Sequence, residues 1–129
     1  MTINNLLAEL NPAQRKAATT NAQNTLVLAG AGSGKTKTIV ARAAYLISQG
    51  VPANEIQIVT FTRRAASEIV SRVENHLGAQ AEGLRASTFH TFCLSILRRY
   101  PKVFDLKGFN VIDRDDQIMM FIVLLQLVM

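Results

Sequence analysis

Apolar and polar positions change period repeatedly along the chain. Residues 10–18 (LNPAQRKAA) open a short helix, with Asn11 as N-cap and Pro12 at the first helical position. Residues 25–29 (TLVLA) are an unbroken apolar run of strand length, the pattern of a strand buried on both faces. Helical spacing follows over 35–50, with Ile39, Ala43, Leu46 and Ile47 along one side, Gly50 as the stop and Pro52 beyond it. A second strand is predicted over 55–62 (EIQIVTFT). A second long helix covers 63–78, where Ala65, Ile69, Val73 and Leu77 recur at every fourth position and Gly78 closes the run. A third short strand, 84–89 (LRASTF), leads into a helix over 90–100 that ends at Pro101. A loop containing Gly108 reaches FNVID (109–113), and 115–129 reads as a last helix.

Strands alternating with helices predict an α/β fold in which a parallel sheet is flanked by crossover helices. Three strands make a thin parallel sheet, because such sheets need both faces covered. The predicted domain is therefore incomplete. A chain of 129 residues with 49% hydrophobic and 18% charged residues is that of a folded domain, not a disordered one. The net charge is +5, and nine of the fourteen cations are arginine, a balance that favours polyanionic partners. The single cysteine, Cys93, excludes an internal disulfide and a Cys/His metal cluster, and within FCLSIL it is expected to be a buried small hydrophobe. The N-terminus lacks the features of a signal peptide. The longest apolar run, 118–129, is broken only by Gln126 and is too short to span a bilayer. A cytoplasmic protein with no membrane partner is expected.

Chemistry concentrates first at 26–38, LVLAGAGSGKTKT. Against the phosphate-loop pattern G-x-x-x-x-G-K-[ST], the positions fall on Ala29, Gly30, Ala31, Gly32, Ser33, Gly34, Lys35 and Thr36, with alanine in place of the first glycine. The context is the one such a loop requires, between an apolar strand and a helix. Small residues let successive N–H groups turn inward toward phosphate oxygens, and the helix end adds its dipole. Lys35 reaches the β- and γ-phosphates and the Thr36 hydroxyl ligates Mg²⁺, which makes these two the catalytic candidates. Lys37 joins the candidate nucleotide-binding set. Asn11 and Gln14 also fit a capping box.

LNPAQ, LVLAGAGSGKT, VTFTRRAA and STFHTF occur in this order. Together they resemble the N-terminal part of a UvrD/Rep-type superfamily 1 DNA helicase, over residues 10 to roughly 117. That family's loop reads AGAGSGKT, so Ala29 matches it. The resemblance implies a P-loop NTPase domain of the RecA-like type over 1–110, truncated, with the start of a helical insertion over 111–129. It also implies ATP and Mg²⁺ as cofactors and adenine recognition by the Gln14 amide. Single-stranded DNA is the implied partner, touched by Thr60, Phe61, Thr62 and Arg63 and by Thr88, Phe89 and His90. An aromatic platform stacks on any base, which suits movement along arbitrary sequence. The family has Asn-Lys where this chain has Arg63 and Arg64, so a hydrogen bond from that asparagine does not carry over. Phe92 and Cys93, further into the helix, are expected in the core. His76, late in its helix, suits the dipole there.

FNVID ends on Asp113 like a Walker B strand, but Arg114 follows where the family has the catalytic glutamate. Asp113 is read as structural. No Walker B Asp-Glu, γ-phosphate-sensing arginines or second RecA-like domain is recognisable, so the chain reads as a helicase fragment and is expected to be inactive alone in hydrolysis. Its apolar C-terminal helix is expected to drive self-association. The resemblance implies an ATP-dependent helicase or translocase of 3′-to-5′ polarity. The alternatives are a helicase–nuclease subunit of the same superfamily, another P-loop NTPase or kinase, and a non-catalytic nucleotide- or DNA-binding module.

Overall fold

The computed structural model describes residues 3–106 and 108–128. Along these residues run α1 (Ile3–Ala8), α2 (Pro12–Thr19), α3 (Lys35–Ser48), β1 (Gln57–Thr60), α4 (Arg63–Leu77), β2 (Arg85–Thr88), α5 (Phe89–Arg99) and α6 (Arg114–Val128). Single 3₁₀ turns lie at Ala53–Glu55 and Gly78–Ala81. β1 and β2 pair in parallel, in a register from Gln57↔Arg85 to Thr60↔Thr88. The fold is mixed α/β, a two-stranded parallel sheet with flanking helices, as the alternating pattern predicts.

By compactness the chain divides into units of residues 1–93 and 94–129. The first unit holds the core. Leu6, Val40, Ile58, Ile69 and Val73 meet in one cluster, with Ala41, Ala43 and Ala44 of α3 between them. α3 packs against α1, α2 and α4, and its alanines are what let three helices approach one axis. Each fully buried valine there contributes roughly 1.5–3 kcal/mol of apolar transfer. The predicted α4 stripe holds at Ile69 and Val73, which are buried, while Ala66 replaces Ala65 as its most enclosed first-turn residue. α1 carries no sequence signal because six residues are too few for a period. It forms where Leu6 and the following Leu10 can enter the core.

Three expectations fail on burial. Residues 25–29 form no strand, and Leu26 and Leu28 are 85% and 88% exposed. A strand covered on both faces needs neighbours to pair with. Among the described residues β1 and β2 pair only with each other, and neither pairs with 25–29. On α3 the buried side is Val40, Ala41, Ala43 and Ala44, and Ile39 is turned out at 42% exposure. Cys93 is exposed and Phe92 half-buried, because α5 fully buries none of its residues.

In the second unit, Asp113 precedes α6, and its carboxylate Oδ1 accepts from Asp116 N at 2.9 Å. Asp113 therefore serves as a helix cap, and residues 109–113 take no regular structure. Every described side chain from 114 to 127 is exposed, although 118–125 are all apolar.

Candidate functional site

The glycine loop runs directly into α3. Gly32 (φ +73°) and Gly34 (φ +80°) hold left-handed conformations that an L side chain rarely adopts. Gly34 is the N-cap of α3 and offers it no side-chain acceptor. Thr38 N is the first in the helix to find a carbonyl, that of Gly34. The N–H groups of Lys35, Thr36 and Lys37 have no acceptor among the described residues. A turn of free donors at a positive helix end is an anion seat.

The loop's own polar groups fold around it. Lys35 Nζ donates to Gly30 O at 2.6 Å and to Ala29 O at 3.3 Å. Ser33 Oγ donates to Gly30 O at 2.7 Å, and Thr38 Oγ1 to Gly34 O at 3.1 Å. Thr36 is exposed, and its hydroxyl has no partner among the described residues. Lys37 leans away from the loop to Glu9, with Nζ 2.9 Å from Oε2.

Gln14 links this loop to α2. Its capping box with Asn11 is complete: Gln14 N donates to Asn11 Oδ1 at 2.8 Å, and Asn11 N to Gln14 Oε1 at 3.0 Å. The remaining amide donor, Nε2, reaches Ser33 O at 3.0 Å. A cavity of about 630 Å³ opens here, of a size that admits a small organic ligand. Asn11, Gln14 and Ala17 of the α2 region line it with Val27, Leu28, Ala29, Gly30, Ser33 and Lys35. Ile39 and Arg42 complete the α3 side, which explains why Ile39 is turned out of the core. Arg42 Nη1 donates to Ala18 O (3.1 Å) and Thr20 O (2.6 Å), tying the end of α2 to the same wall.

A second feature sits at the carboxyl ends of the strands. Thr60 and Thr88 are register partners, so Phe61 and Phe89, one residue on, emerge side by side. Their rings lie 5.5 Å apart at 49°. Phe61 is 90% exposed and Phe89 49%. A pair so exposed gains little from burial and forms an aromatic shelf facing solvent. The threonines shape the two turns: Thr62 Oγ1 accepts from Ala65 N (3.1 Å), Thr88 Oγ1 accepts from Thr91 N (3.2 Å), and Thr60 Oγ1 donates to Thr62 O (2.8 Å). Arg63, Arg64 and His90 are exposed at the starts of α4 and α5.

The sequence matches the UvrD/REP helicase N-terminal domain over residues 10–128. The chain belongs to this family. It is 42% identical over 117 residues to the ATP-dependent DNA helicase PcrA of Bacillus subtilis (strain 168), covering 89% of this chain and 16% of that protein. The PcrA helicases of Staphylococcus aureus (strain COL) and Staphylococcus epidermidis (strain ATCC 12228) are 40% and 39% identical over the same coverage. The chain thus spans about a sixth of the length of these relatives.

Within this UvrD/REP domain the structure brings Gln14, Ala29, Gly30, Ser33 and Lys35 to one cavity. Ala31, Gly32, Gly34, Thr36 and Lys37 belong to the loop or first helical turn without lining it. Thr60, Phe61, Thr62, Arg63, Thr88, Phe89 and His90 gather at the strand ends. Sequence reasoning missed Ile39 and Arg42 as wall residues. The signal was present, since 35, 38/39 and 42 are spaced i, i+3/i+4, i+7 along one helix face. No helix among the described residues is long and apolar enough to cross a membrane.

Proposed function

We propose that the chain binds ATP in the cavity beside the glycine loop and single-stranded DNA across the aromatic shelf. It does so as the nucleotide-binding part of an ATP-dependent DNA helicase of 3′-to-5′ polarity. The observation that carries this reading is that Gln14 and Lys35 line one cavity. A base edge at the amide and phosphates at the ammonium then belong to a single molecule. The relatives, named ATP-dependent DNA helicases, support it.

On binding, Lys35 exchanges its loop carbonyls for β- and γ-phosphate oxygens, and the free N–H groups of the first α3 turn donate to the same anion. The exposed Thr36 hydroxyl is available to Mg²⁺, which when bound neutralises charge on the β- and γ-oxygens. Gln14 gives up bonds to Asn11 N and Ser33 O to read adenine. Phe61 and Phe89 stack on bases, while Arg63, His90 and the threonine hydroxyls serve the backbone. The 129 residues contain no Asp-Glu pair to order Mg²⁺ and activate water. Binding with turnover below roughly 1 s⁻¹ is therefore expected of this chain. Residues 1–110 belong in this reading to a first RecA-like domain, and 111–129 open a helical insertion. With DNA as partner, the expected setting is the cytoplasm.

The test is equilibrium binding of labelled ATP and of a labelled oligonucleotide. Lys35→Ala removes charge-assisted contacts of about 1.5–3 kcal/mol, so ATP affinity falls roughly ten- to hundredfold while DNA affinity holds. Equal ATP affinity in parent and Lys35→Ala refutes the reading. The chain also self-associates through α6, whose apolar surface faces solvent on all sides. Light scattering across a concentration series gives a rising mass, and Ile122→Glu with Leu125→Glu lowers it. A constant monomer mass refutes this part.

A further inference from the structure

The first turn of α3 gathers positive potential from Lys35, from Lys37 and from the unbonded N–H groups of the helix end. The two lysines are satisfied separately. Lys35 turns into the loop carbonyls. Lys37, two positions on and so on another side of the helix, turns to Glu9 in the bend after α1. Its Nζ lies 2.9 Å from the Glu9 carboxylate and donates to the Glu9 carbonyl at 3.2 Å. The two side chains of the pair are 38% and 51% exposed. Such a pair is not demanded by buried charge, and exposed pairs do little for stability. What it does achieve is to fix a negative charge two residues from Asn11 and five from Gln14, both of which line the cavity.

We infer that Glu9 is a positioning residue for the nucleotide site: its carboxylate holds Lys37 against the end of α1 and offsets the potential a polyphosphate would use. Nucleotide affinity is thereby lowered in proportion to ligand charge. The inference rests on the nucleotide-binding reading above. It concerns a carboxylate outside the loop, whose charge meets that of Lys37 in the first turn of α3.

The experiment titrates parent and Glu9→Gln chains with ATP, ADP and adenosine at low and high salt. Glu9→Gln tightens ATP roughly two- to fivefold at low salt. The gain is smaller for ADP, absent for adenosine, and fades as salt rises. Glu9→Asp, which keeps the charge, stays near the parent. Equal ATP affinity in parent and Glu9→Gln, or an equal gain for adenosine, overturns the inference and leaves nucleotide binding standing. Glu9→Gln chains that lose their fold by circular dichroism also overturn it, since the carboxylate is then structural. Absence of ATP binding in parent and Glu9→Gln alike overturns both readings.

Discussion

Gly34→Ala tests the phosphate seat at its most constrained residue. Gly34 has φ +80°, and an added Cβ would lie 2.5 Å from Gln14 Nε2. Placing an L residue in the left-handed region costs about 1–2 kcal/mol. The side-chain conflict displaces the Gln14 amide from its place at the cavity, and with it the hydrogen bond proposed to the base, a net loss of about 0.5–1.5 kcal/mol. Together the loop conformation loses roughly 1.5–3.5 kcal/mol, so ATP affinity falls about ten- to several-hundredfold. The assay is ATP binding by fluorescence anisotropy on the parent, Gly34→Ala, Gln14→Ala and the double variant. Because Gln14→Ala already removes the conflicting amide, the double variant is less damaged than the sum of the singles. Strict additivity refutes the proximity of the two residues. Gly34→Ala within about threefold of the parent, an energy under 1 kcal/mol, refutes the need for the left-handed cap.

Two further predictions separate function from stability. Phe61→Ala leaves the melting temperature nearly unchanged, because a side chain 90% exposed contributes within about 0.5 kcal/mol, yet weakens single-stranded DNA by about 1–3 kcal/mol at matched salt. Unchanged DNA affinity removes the shelf from the DNA path. Lys37 holds the Glu9 carboxyl below its ordinary 4.5, so the contribution of the pair is complete above pH 4.5 and is lost as the pH falls through the lowered value. A carboxyl NMR titration places the Glu9 midpoint lower in the parent than in Lys37→Ala, and equal midpoints refute the coupling.

Much of the candidate site was legible because its parts obey local rules. Asn11 and Gln14 satisfy helix-end donors within three residues of each other, and the capping box forms as read. Gly32 and Gly34 of the loop take positive φ because the turn into α3 demands it. Thr62 and Thr88 each close a strand-to-helix turn with their own hydroxyl. None of these depends on distant chain. The Glu9–Lys37 pair and the bonds from Arg42 to the end of α2 join residues more than twenty positions apart, and no local pattern announces them.

Burial was the illegible quantity, and the reason can be read from three apolar stretches with different outcomes. The α4 stripe is buried because α1, α3 and both strands pack on that helix. Leu26 and Leu28 carry as strong an apolar signal, yet no strand pairs with them and they stand exposed. α6 is the extreme: apolar on all sides and exposed on all sides. An apolar run states how much surface a segment gains by covering, at about 25 cal/mol per Å², and leaves open what covers it. Local backbone rules need no such partner. The glycine loop can therefore hold its left-handed glycines, its lysine and its capping glutamine in place while the apolar run that leads into it remains unpaired.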